Sequence, residues 1–131
     1  MITLERRIKI SVGNEVVEVL LTDENADTAN EVWRALPITG EANRWGDEIY
    51  FSTPVSLHEE HARTEVEVGA VAYWPPGKAV CIFFGKTPAS KHGEPRAASP
   101  VNVFAKVVGD LKPLRRVQDG EQITLARADA T

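Results

Sequence analysis

One cysteine, Cys81, stands in 131 residues, so no disulfide can close within the chain. With only three histidines beside it, the sequence lacks the ligand clusters of a zinc module. Basic residues are outnumbered, Lys+Arg 15 against Asp+Glu 19 for a net charge of −4, and no basic stripe interrupts that balance. Nucleic acid is therefore not expected as a partner, because such affinity comes largely from cations displacing counterions. No stretch approaches the ~20 apolar residues that span a bilayer. The start, Met1-Ile2-Thr3-Leu4-Glu5-Arg6-Arg7, has no apolar core of a secretion signal. A cytoplasmic protein without a membrane partner is the expectation. What is present, 43% hydrophobic and 26% charged residues, is ordinary for a globular chain. One domain over residues 1–131 is expected, long enough to bury a core with neither metal nor cofactor.

Periodicity organises that domain as mostly β. Arg7 to Val12 alternates polar with apolar, Glu15 to Leu21 is rich in β-branched residues, and Gly13-Asn14 between them predicts a hairpin. Ala29, Val32, Trp33 and Leu36 fall on one helical face, Thr28-x-x-Glu31 has capping-box spacing, and Pro37 stops the helix. Residues 40–44 read as loop, and strands are expected over Asp47–Ser52, Thr64–Val68 and Gly69–Trp74. Lys78–Phe84 is nearly continuous apolar and is expected to be the central strand, buried on both faces. Lys86–Pro100, with three prolines, reads as a long surface loop before a strand over Val101–Val108. A short helix around Leu111, Leu114 and Val117 and a last strand, Gln122–Arg127, follow, with Ala128 to Thr131 fraying. Mostly antiparallel strands with about two short helices suggest a closed β-barrel, since closure removes edges.

This order of elements resembles a cyclophilin. Thr28-Ala29-Asn30-Glu31-Val32-Trp33-Arg34-Ala35-Leu36 is similar to the family's first helix, Phe83-Phe84 to its Gln-Phe-Phe strand, and Val103-Phe104-Ala105-Lys106-Val107 to its Val-Phe-Gly-Lys-Val strand. Longer words, Trp45 to Val55, Tyr73 to Ala79 and Phe83 to Pro88, resemble small bacterial and archaeal cyclophilin-like proteins of unassigned function. The resemblance implies a closed cyclophilin-like barrel capped by the helices. It also implies where prolyl-isomerase machinery would lie. A Phe-His-Arg run is expected after the first helix, because an arginine stabilises the twisted amide; here the strand reads Ile49-Tyr50-Phe51, and Arg44 and Arg63 flank it without matching any motif. Phe84, or Phe83 in a shifted register, matches the pocket phenylalanine, while Trp74 stands where cyclophilins keep a small alanine and either plugs or lines the cleft.

The expected function is a binding module whose aromatic cleft takes a small molecule or an extended peptide, with a weak or atypical isomerase as the alternative. Candidate cleft residues are Glu48, Tyr50, Phe51, Tyr73, Trp74, Phe83, Phe84 and Lys86. For Phe83, Phe84 and Phe104 core packing is the competing reading; Tyr50 and Trp74 carry polar tips suited to a rim. Glu48 and Lys86, beside aromatics, would suit acid-base work if desolvated, or else surface pairing. An aromatic surface would also serve contact between copies of the chain, a homo-oligomer. His58-Glu59-Glu60-His61 departs from His-Glu-x-x-His spacing and reads as a loop without metal. Cys81, in the most apolar strand, reads as a small hydrophobe with a raised pKa.

Overall fold

Strict alternation builds the first hairpin of the computed structural model, which describes residues 5–128. Strand β1 (Arg7–Val12) pairs with β2 (Glu15–Leu21) so that Ile8, Ile10, Val12, Val17 and Val19 are all buried on one face. Helix α1 (Ala26–Ala35) follows, then β3 (Ile38–Glu41), β4 (Asn43–Arg44), β5 (Glu48–Ser52), β6 (Arg63–Glu65), β7 (Ala70–Trp74) and β8 (Ala79–Phe83). The chain ends with β9 (Arg96–Val108), the single-turn helix α2 (Lys112–Arg115) and β10 (Gln122–Arg127). No helix among the described residues is long and apolar enough to cross a membrane.

The expected closed barrel is not what forms. Among the described residues the strands make one antiparallel ten-stranded sheet in the order β3-β10-β1-β2-β9-β7-β8-β5-β4, with β6 paired to β9 off this path, and no ladder joins its ends. The reason lies at Ala42. Its N–H donates to the Glu121 carbonyl at 2.8 Å beside β10, whereas the next residues, Asn43 and Arg44, pair with Tyr50 and Ile49 of β5. The chain thus changes partner within one residue; Gly40 of β3 pairs with Ile123 of β10, and the Phe51 ring packs close by, 3.0 Å from where an added Cβ would stand. Both end strands are very short, which blunts their open edges.

Other departures are local. Residues 40–44, expected as loop, carry half of β3 and all of β4, while the strand expected over Thr64–Val68 shrinks to β6. Strand β9 begins at Arg96, inside the segment expected as loop, and it, not β8, takes the middle of the sheet order. The capping box is not used: α1 starts at Ala26 with Asn25 before it, and Glu60 from the distant 58–61 segment accepts from Thr28 N at 3.1 Å and Thr28 Oγ1 at 2.9 Å. That segment is a helix-binding loop, its His61 N–H donating to Asn25 Oδ1 at 2.6 Å. Ala128 bonds back to Arg7; of the tail expected to fray, residues 129–131 lie outside the described residues, as do Met1 to Leu4.

Two apolar clusters sit on opposite faces of the sheet. Val80 and Ile82 of β8 join the main core with Ile49, Phe51, Val71, Tyr73, Phe84 and Phe104. Cys81 and Phe83 join a smaller one with Val66, Ala70, Ala72, Ala97, Val101 and Val103. Period-two alternation explains why β8 is apolar throughout.

Candidate functional site

The smaller cluster leaves a cavity of about 200 Å³ lined by Trp45, Glu48, Tyr50, Trp74, Cys81, Ala97, Ala98 and Val101. Alternation places each wall. Glu48 and Tyr50 point to this side of β5 because Ile49 and Phe51 point to the other. Trp74 ends β7, and its indole Nε1 donates to Ser99 Oγ at 2.6 Å. The ring rests on Gly77, where an added Cβ would meet indole carbons at 2.6 Å. Trp74 therefore lines the cleft and does not plug it. Trp45 precedes a tight turn at Gly46, whose φ of +62° and whose approach to the Lys86 carbonyl, 2.9 Å from a built Cβ, both favour glycine. Asp47 N donates to that same carbonyl at 2.9 Å. The words Trp45-Gly46-Asp47 and Phe84-Gly85-Lys86 thus brace one another and seat the indole.

Glu48 sits at the foot of this space, 5% exposed. Burial raises its pKa from the ordinary 4.5 to about 7, partly offset by a hydrogen bond from the Cys81 thiol. Burial likewise pushes the Cys81 thiol well up, and the charge of Glu48 adds to that. Among the described residues no salt bridge reaches Glu48. The nearby guanidinium groups are held elsewhere. Arg44 lies 5.0 Å over the Phe84 ring and donates to the Val117 carbonyl at 2.9 Å and to Gly46 at 3.1 Å. Arg63 pairs with Glu24 at 2.6 Å, and Arg96 with Glu94 and Glu65, each at 2.9 Å.

A comparison with protein families then decides the lineage: the profile of the cyclophilin-like family matches residues 6–126. This chain belongs to the cyclophilin-like family. A solution structure of a hypothetical protein from Archaeoglobus fulgidus is similar to it, with a TM-score of 0.82, 46% identity and 95% of each chain covered. Nothing among curated proteins matches the chain.

In this cyclophilin-like chain the residues expected at the cleft separate into groups. Glu48, Tyr50 and Trp74 come together on the cavity. Phe51, Tyr73 and Phe84 lie in the main core behind the sheet, and the Tyr73 hydroxyl donates to the Val55 carbonyl at 2.7 Å. Phe83 packs in the smaller cluster without lining the cavity. Lys86 is exposed, contributes its backbone carbonyl and does not join Glu48. Sequence reasoning left out Cys81, Ala97, Ala98 and Val101. Cys81 was accessible in principle: it pairs with Tyr50 across β5 and β8, which puts it diagonal to Glu48 on the same face. The alanines follow from β9 starting early, which three prolines disguised.

Proposed function

We propose that this protein is a binding module for a compact small molecule, seated between the Trp45 and Trp74 indoles with its polar end toward Glu48. The observation that carries this reading is a buried carboxyl without an ion-pair partner at the foot of an aromatic-walled cavity. Such a group is costly to bury and is kept where something meets it. Size supports a compact occupant: a cavity of ~150 Å³ takes up benzene, and this one, at about 200 Å³, is smaller than the ~300–1,000 Å³ sites of drug-sized ligands.

The test follows the indole N–H resonances of Trp45 and Trp74 by NMR during titration with phenol, imidazole and choline. Saturable shifts of these two, with Trp33 unmoved, are expected for at least one probe. Gly77→Ala, which drives a methyl into the Trp74 ring, is expected to lower that affinity at least tenfold while the fold persists. Flat titrations with all probes would overturn the reading.

An isomerase reading lacks its electrostatic group, since no guanidinium lines the cavity. Turnover of a short Ala-Pro peptide in a coupled assay is expected to stay at the uncatalysed rate, because the ~18–20 kcal/mol amide barrier has nothing opposing it here. Catalysis at cyclophilin-like efficiency would contradict this.

A further inference from the structure

Aromatic rings elsewhere in this chain already carry cations. Arg127 and Arg6 lie 4.7 and 5.5 Å from the Trp33 ring centroid, and Arg44 lies 5.0 Å from that of Phe84. Among the described residues, Trp45, Tyr50 and Trp74 have no such partner, although two of them are indoles, the side chain with the strongest attraction for positive charge. These three converge on one cavity with Glu48. Electron-rich rings, together with a carboxyl, line a space in which an anion is repelled. A neutral occupant leaves the carboxylate without a counter-charge.

We propose that the ligand is an organic ammonium ion carrying methyl groups, held in an aromatic cage of Trp45, Tyr50 and Trp74 above Glu48. This rests on the small-molecule reading of the cavity and names its chemical class. A quaternary head suits the walls better than a bare ammonium. Its methyl groups pack against Ala97, Ala98 and Val101, and it demands no hydrogen bonds that this apolar lining lacks. A trimethylammonium head is comparable to benzene in bulk, so the cavity admits it with part of its substituent.

The cation binds the ionised form of Glu48, so affinity follows that ionisation. The titratable groups facing the carboxyl are the Cys81 thiol from β8, held protonated by burial, and the Tyr50 phenol from β5; no basic or acidic side chain of β7 or β9 lines the space. Below about pH 7 the ligand must first expel a proton from Glu48. Binding is therefore expected to strengthen roughly tenfold between pH 6 and pH 8.

The experiment compares choline with its neutral isostere 3,3-dimethylbutan-1-ol, and with a capped trimethyllysine, by indole fluorescence and NMR. Choline or the lysine derivative is expected to bind at least tenfold more tightly than the neutral alcohol. The tighter of the two shows whether the head arrives free or on a peptide, and both outcomes support the cage. Glu48→Gln is expected to abolish the preference for charge while the alcohol still binds. The pH profile of the unsubstituted protein provides the same reading without a variant. Equal or tighter binding of the alcohol, or a flat pH profile, overturns the cation and leaves the small-molecule site standing. No shift of Trp45 or Trp74 with any probe, phenol included, overturns both.

Discussion

Glu48→Gln is expected to raise the melting temperature by roughly 10 °C at pH 8.5 and to leave it nearly unchanged at pH 4. The cause is the cost of ionising a carboxyl 5% exposed among apolar walls. Its pKa is raised above the unfolded value, so the native chain holds a proton that the unfolded chain releases. Stability is then greatest below about pH 4.5 with respect to this group, and is lost as pH rises toward about 7. Moving a carboxyl from 4.5 to about 7 amounts to something on the order of 3 kcal/mol. Glutamine never ionises, keeps nearly the same shape and can still accept from the Cys81 thiol. Subtracting the two melting curves across pH 4 to 9 removes the contributions of all other groups; a pH-independent difference would refute the assignment.

Asn102→Ala is expected to cost about 3 kcal/mol, near 10 °C in melting temperature. Asn102 is fully buried at the point where β9 passes beneath α1 and the 58–61 loop. Its Nδ2 donates to Thr28 Oγ1 at 3.1 Å and to the His58 carbonyl at 2.9 Å, and its Oδ1 accepts from Glu60 N at 2.9 Å. Truncation leaves these groups without their partner in a place water reaches poorly. It also loosens Glu60, which satisfies the first amides of α1. Hydrogen exchange should show the Glu60 amide losing protection before those of β1. A loss below 1 kcal/mol with that amide still protected would contradict the pinning role.

Reading the residues in order located much of the secondary structure because local physics decided it. Strands β1, β2, β7 and β10 alternate or carry β-branched residues between turn formers, and pairing partners only reinforced those preferences. The family, too, was visible in contiguous words such as Trp45 to Val55, because those words encode one mutual brace. The candidate site was harder. Tyr50-Phe51, Tyr73-Trp74 and Phe83-Phe84 look like a concentrated aromatic groove along the chain. A strand sends neighbours to opposite faces, so one member of each pair went to the main core. Which member faces the cavity depends on which side of the sheet β6 and the start of β9 cover.

Sheet closure was likewise beyond local reasoning. The expectation of a barrel followed from the number of strands, yet whether the ends meet depends on what lies across from β3, and there the Phe51 ring stands against Gly40. By itself the sequence determined a mostly antiparallel β chain, its first hairpin and its family, since periodicity and turn chemistry act over a few residues. Only the tertiary structure decided that the sheet stays open, that Arg44 is held over Phe84, and that Glu48 lies buried among Trp45, Tyr50 and Trp74. Those outcomes depend on residues far apart in the chain, whose positions are set by packing and by the exclusion of water.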